Sequence, residues 1–424
     1  MLPESPARSR FEFAIVAVSF LTVLLVAWNL VDPGSGRTTL PLAEVARVSR
    51  STATRAHSAR LIRVRLTVDP VREAKLEIAG PYTLRPVGSD KVLARGAKLT
   101  VATVRPVAGG IRVGDREYTV SELEIIPEKS PVVRFAGHLY RGSLRIHRFP
   151  NDRLVLVNVL PLEEYLASVV DSEMPARFPD AAREAQAIIA RTYALRQIRE
   201  ASPVAVYDVF ATQRSQKYLG VEYEAGGRRL AGESAASRKI VESTSNLVCT
   251  SRGKLFTAYY AACCGGRTTT GTEIFDDACE ALNSVACSGC RDAERYRWTV
   301  RIPGADFASA VAKSAPSQPR LKTIRTARQT AGPGDGKISR FVIGDGSRSA
   351  EVTGVQLRSQ LPKLLSPHFS LKVQGADVVA EGRGHGHGVG LCQWGARGMA
   401  LQGKSALEIL RHYYPGCRVA PIVD

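Results

Sequence analysis

The sequence predicts an α+β protein: an N-terminal membrane anchor followed by a mixed helix and strand ectodomain that is β-rich in its N-terminal part. Three patterns carry this. Residues 60–160 hold short β-branched and aliphatic runs separated by Gly-Pro, Gly-Gly and Gly-Asp steps, residues 181–199 and 405–413 have helical period, and no regular βαβ succession links them. With 424 residues, 44% of them hydrophobic and 23% charged, the chain suits two or three globular domains rather than a disordered polymer.

In chain order, residues 1–12 read as a cytoplasmic tail. Residues 13–31 are uncharged and mostly apolar, long enough at about 1.5 Å per residue to cross a hydrocarbon core. Arg8 and Arg10 precede this run and Asp32-Pro33-Gly34 stops it, so the positive-inside rule exports the rest of the chain. The run exceeds the apolar region of about 7–15 residues found in cleaved signal peptides, which predicts a retained single-pass anchor. Residues 32–59 read as a linker. In the β-rich region, 61–68, 98–101 and 153–157 are the clearest strands, and its His138 and His147 read as strand residues rather than ligands. Residues 161–424 form the remaining core, with a cysteine-rich segment at 249–290. There Asp180 is expected to cap a helix whose apolar face is Ala185, Ile188, Ile189, Thr192 and Leu195. Strands are expected at 296–302 and 338–343, and a helix at 305–313.

Charge narrows the partners. Lys+Arg 58 against Asp+Glu 40 leaves +18, which favours a polyanion. Export makes nucleic acid an unsuitable one, and the chain holds neither a basic-aromatic strand motif nor a recognition-helix module. No phosphate-binding or dinucleotide glycine pattern is present, so no organic cofactor is expected. Cell-wall polymers and anionic lipid surfaces remain.

Three local patterns carry chemistry. Ser172-Glu173-Met174-Pro175 sets a carboxylate at a turn near a helix start, beside an apolar side chain, where desolvation raises a pKa. Six of the eight cysteines crowd together: Cys249, Cys263, Cys264, Cys279, Cys287 and Cys290; Cys392 and Cys417 lie near the C-terminus. Cys287-Ser288-Gly289-Cys290 is a C-x-x-C step, so thiolates from two segments suit either a tetrahedral zinc or disulfides. Gly384-His385-Gly386-His387-Gly388 would, if extended, put both imidazoles on one face for zinc ligation or hydrogen bonding.

Several motifs in order resemble the stage II sporulation protein D family. They are Val157-Asn158-Val159-Leu160-Pro161-Leu162-Glu163-Glu164-Tyr165-Leu166, Ser172-Glu173-Met174-Pro175, Ala185-Gln186-Ala187 through Tyr193-Ala194, and Ser215-Gln216-Lys217-Tyr218-Leu219-Gly220. Gly265-Gly266-Arg267-Thr268, His387-Gly388-Val389-Gly390 through Gln393-Trp394-Gly395-Ala396, and Ile409 to Gly416 complete the set, which covers roughly residues 60–416. The resemblance implies a membrane-anchored peptidoglycan lytic transglycosylase, cutting glycan strands after stem peptides have been removed, with 161–424 as its catalytic core. A non-catalytic enhancer of a cell-wall amidase is the alternative within the family. It implies Glu173 as the catalytic acid and base, and Arg191, Tyr193, Gln216, Tyr218, His387 and Gln393 as candidate substrate contacts. Some members bind zinc through a His and cysteines near the Gly-Gly turn. Here Ala261 stands where that His is expected, which leaves Cys264, Cys287 and Cys290 as candidate ligands of a structural zinc, Cys263 or Cys279 as a fourth, and disulfides as the competitor.

Overall fold

Alternating burial along the first strands builds two antiparallel layers. The computed structural model describes residues 60–128, 133–332 and 336–422. The predicted span at 13–31 and the linker at 32–59 lie outside the described residues, and among these no helix is long and apolar enough to cross a membrane. One sheet has seven strands, centred on Arg153–Pro161 between Leu61–Arg65 and Ser143–Phe149; the other has eight, including Ala74–Ile78 and Leu99–Val107. Leu76, Ile78 and Val104 from the second pack against Leu84, Ile125, Ile146 and Leu156 from the first. The strand Arg153–Pro161 is apolar without alternation because it is covered on both faces: Leu154 and Leu156 enter that core, while Val155, Val157 and Val159 form a second cluster behind it. The layers do not end at residue 160. Val209–Phe210 extends the first sheet in parallel beside Leu61–Arg65, and the hairpin Glu222–Ala225/Arg228–Ala231 extends the second.

Helix α1 (Leu162–Glu173) comes directly after, and α2 (Asp180–Glu200) lies across it. Asp180 is not the cap of α2. Pro179 occupies that position with no side-chain cap, and the Asp180 carboxylate lies in the first turn, where it suits the helix dipole. Helix α2 is buried over most of its circumference because α1, α3 (Ala235–Ser243) and the strand Leu247–Ser251 all pack on it. Its alanines Ala182, Ala185, Ala187, Ala190 and Ala194 permit that close approach, and its buried Arg183 pairs with Asp171 at the end of α1.

Short α4 (Gly271–Phe275) leads to a lobe with its own core. Here Arg297–Pro303, Asp377–Arg383 and Phe369–Gln374 form one three-stranded sheet, and Thr326–Ala331, Arg340–Gly344 and Ser349–Thr353 another. Helices α5 (Gly304–Ser314) and α6 (Gly354–Gln360) cover them around Phe307, Phe341, Phe369 and Leu357. The chain then returns to α2 through α7 (Gln393–Leu401) and α8 (Ala406–Tyr413), which begins in a Ser405/Glu408 capping box. The last strand, Cys417–Pro421, pairs with Leu247–Ser251. Strand and helix content is thus mixed, as the α+β reading requires.

Candidate active site

Pro175 determines where Glu173 sits. A residue before proline is driven out of the helical region, and Met174 is extended at φ −124°, ψ 123°, so α1 stops on Glu173. The carboxylate therefore lies at the C-terminal end of one helix, not near the start of the next as the motif suggested. The negative end of the helix dipole offers it no support.

Support comes from elsewhere. The Lys217 backbone N–H donates to Glu173 Oε1 at 2.8 Å. The side chains of Tyr260 and Gln393 also hydrogen-bond the carboxyl. Tyr260 is fixed as a donor: its hydroxyl accepts from Gln216 Nε2 at 3.3 Å, and Gln216 Oε1 accepts from the Tyr165 hydroxyl at 3.2 Å. Behind Gln393, whose Nε2 donates to Gln186 Oε1 at 3.4 Å, Gln186 is wholly buried with its own Nε2 unpartnered. Desolvation is the largest influence on Glu173 and raises its pKa, while the donors from Lys217, Tyr260 and Gln393 act against it. The outcome is a carboxyl held nearer to neutrality than a surface glutamate and still able to ionise within reach of three donors. Removing one donor has a signed consequence. Tyr260→Phe is expected to raise the Glu173 pKa further, so that any activity needing the protonated acid extends to higher pH; the alkaline limb of a kcat/KM profile measures it.

The other sequence candidates divide. Gln216 and Gln393 join Glu173 in this network. Tyr193 hydrogen-bonds Ser215, in the same loop as Gln216 and Lys217, and lies within electrostatic reach of Tyr165 and Tyr260. Arg191 is fully buried and occupied: it pairs with Glu163 at 2.7 Å and donates to the Val241 and Leu247 carbonyls, which ties α2 to α1 and α3. Tyr218 is buried too, donating to Asn158 Oδ1 at 2.9 Å and packing on Tyr165. Both are positioned as core ties. His387 packs its ring against Phe275 at 5.0 Å and accepts from the Val389 N–H, and burial pushes its pKa down to about 4. The segment around it is not extended. Gly384, Gly386, Gly388 and Gly390 have φ between +71° and +104°, so the two-residue alternation that would align His385 with His387 does not apply. His385 instead exchanges backbone bonds with Cys263. Outside the site, His138 and His147 bond to the Leu219 carbonyl and to Glu122.

A second constellation lies in the core beside α2. The sulfurs of Cys264, Cys287, Cys290 and Cys392 all lie within 4.8 Å of one another. The fourth member is neither Cys263 nor Cys279 but Cys392, which caps α7 and is brought in by the Trp394 N–H bond to the Ala262 carbonyl. The donor set fits zinc: four ligands at about 2.3 Å in a tetrahedron have edges of about 3.8 Å, and Cys264 Sγ lies 3.8 Å from Cys290 Sγ. The Cys264 and Gly395 N–H groups, each 3.3 Å from Cys392 Sγ, and the Tyr413 hydroxyl, 3.1 Å from Cys287 Sγ, are the outer contacts that thiolates need.

Fold and site define an α+β protein with one partly desolvated glutamate, Glu173, in a cradle of tyrosine, glutamine and backbone donors. The SpoIID, stage II sporulation protein, family profile matches residues 150–250, which contain Glu173, α1 and α2. An uncharacterized protein of Brachyspira hyodysenteriae is 30% identical over 358 residues, 84% of this chain and 92% of its own. Stage II sporulation protein D of Bacillus amyloliquefaciens is 29% identical over 286 residues, 66% of this chain and 78% of its own. An amidase enhancer of Bacillus subtilis is 23% identical over 392 residues, 81% of this chain and 52% of its own. The chain belongs to the stage II sporulation protein D family.

Proposed function

We propose that the protein is a membrane-anchored peptidoglycan lytic transglycosylase that cleaves glycan strands after stem-peptide removal, with Glu173 as general acid and then general base. The observation that carries the reading is the Glu173 carboxyl itself: desolvated, raised in pKa and within reach of three donors that favour its ionised form. Protonated Glu173 gives its proton to the glycosidic oxygen as the bond to C1 breaks and an oxocarbenium-like centre develops. The carboxylate so formed is stabilised by Lys217 N–H, Tyr260 and Gln393. It then takes the proton of the sugar's own primary hydroxyl, whose oxygen closes on C1 as an anhydro ring. Water is not activated, so no second carboxylate is required.

Residues 13–31 would hold the ectodomain at the membrane with the bulk of the +18 charge outside the cytoplasm, near anionic wall polymers. A zinc on Cys264, Cys287, Cys290 and Cys392 would serve as a structural staple, since all four positions go to thiolates and none is left for substrate. The amidase-enhancer relative supports a second reading, in which the protein activates a cell-wall amidase without cleaving glycan. Mass spectrometry of peptide-free glycan strands incubated with the full chain separates the two. Anhydro-muramyl ends support cleavage; intact strands, together with faster stem-peptide release when an amidase is added, support activation.

A further inference from the structure

We propose that Arg397, stacked over Trp394 and Phe178, forms a carboxylate-recognising subsite beside Glu173, which selects glycan whose muramyl lactyl group is a free acid. The proposal rests on the reading of the protein as a glycan-cleaving enzyme. The guanidinium of Arg397 lies 5.2 Å from the Trp394 ring centroid and 5.8 Å from that of Phe178, and the two rings meet edge to face at 5.4 Å. Contact with two aromatic faces restrains a guanidinium and leaves it N–H donors that no bond within the chain uses, donors that a carboxylate can take bidentately. Among the described residues Arg397 enters no ion pair or hydrogen bond, although most of the protein's partly buried arginines do, Arg63, Arg141 and Arg145 among them. A half-buried cation left without an anion within the chain is a site for one from outside.

Its position ties it to the reaction. Gln393, which hydrogen-bonds Glu173, and Arg397 are four residues apart on α7, so they share a face with Cβ atoms about 5–6 Å apart. Phe178 belongs to the turn that leaves Glu173, closed by its N–H bond to the Pro175 carbonyl at 2.9 Å. Both walls of the shelf are thus continuous with elements that hold the acid. Removing a stem peptide turns the lactyl amide of muramic acid into a carboxylate. A neutral amide cannot pair with Arg397 as that anion can, and an attached peptide would have to be accommodated over the shelf. The subsite would therefore make an enzyme wait for its substrate to be stripped.

The test is a binding measurement in the full chain carrying Glu173→Gln, so that nothing is consumed. Titration calorimetry compares a peptide-free muramyl tetrasaccharide bearing free lactyl carboxylates with the same sugar converted to lactyl amides. The carboxylate form is expected to bind about ten-fold more tightly; adding Arg397→Gln should bring the ratio near one, and Arg397→Lys should retain part of it. Matched thermal melts establish that the variants are folded. An arginine that merely packs on Trp394 would leave the ratio unchanged, and that result, or no preference before Arg397 is altered, overturns the proposal. Cleavage is read separately in the chain with Glu173 intact: a preserved binding preference without anhydro products would reject the enzymatic reading and leave the subsite standing.

Discussion

Glu173→Gln is expected to lower glycan cleavage by about 10²–10⁴-fold, the range ascribed to a positioned general acid, and at the same time to raise the melting temperature at pH 7. The first effect arises because glutamine can accept the Lys217 N–H but has no proton of suitable acidity for the glycosidic oxygen. The second comes from linkage. Burial raises the Glu173 pKa from its ordinary 4.5, so the stability tied to its protonated form is fully present below that value and lost as pH rises through the raised one. Above that point the wild type holds a desolvated charge that the neutral glutamine side chain of the variant lacks. The stability difference between the two should therefore be largest at neutral pH and shrink toward pH 4, which thermal unfolding at the two pH values measures. A variant equally inactive but less stable at pH 7 would point to a structural glutamate and not to an acid held at a cost in stability.

How far the sequence could be read depended on the range of the interactions involved. Strands such as Leu61–Arg65 and Arg153–Pro161, and the helix over Ala406–Tyr413, arise from local period and capping and emerge where expected. Helix α1 was not legible: Pro161 begins it as a cap without a side-chain bond, and its burial comes from α2, α3 and the first sheet rather than from a marked local pattern. Glu173 was legible as a candidate because Met174-Pro175 gives its turn a physical reason, but its placement at a helix end depended on the proline's effect on Met174. Arg191 shows how a motif position leaves two roles open. Its place in a motif suggested substrate, whereas its guanidinium is spent on Glu163 and two carbonyls drawn from segments 28 to 56 residues away. Tyr260 carried no local signal, since only the folded chain brings its hydroxyl between Gln216 and Glu173. Cys392 lies 128 residues beyond Cys264, and spacing rules operate over a few tens of residues, so the fourth thiol was beyond their reach.

That fourth thiol gives the other prediction with a large effect. The purified chain is expected to carry one zinc, by elemental analysis, and Cys392→Ser to lose most of it together with a substantial part of its stability. Structural zinc contributes about 10–16 kcal/mol in small peptides. If even a quarter of that is lost, at about 1–1.5 °C per kcal/mol for a chain of this length, the melting temperature falls by about 3–6 °C. Serine replaces a soft anionic ligand by a neutral hydroxyl and weakens the acceptor for the Cys264 and Gly395 N–H groups. Cys279→Ser is the control: Cys279 is half-buried and outside the four-sulfur group, so metal content and melting temperature should hardly change. The competing chemistry gives a different mass. Each disulfide removes two hydrogens, so an intact, unreduced chain lighter by about 2 or 4 Da, with no metal bound and its bridges mapped to these four positions rather than to the neighbouring Cys249 and Cys417, would assign these cysteines to disulfides. A chain at full thiol mass with one zinc would instead make the metal a bolt between the turn at Cys264, the Cys287–Cys290 step and the start of α7. Through α7 it would also hold Gln393 against Glu173, so metal loss should reduce cleavage along with stability.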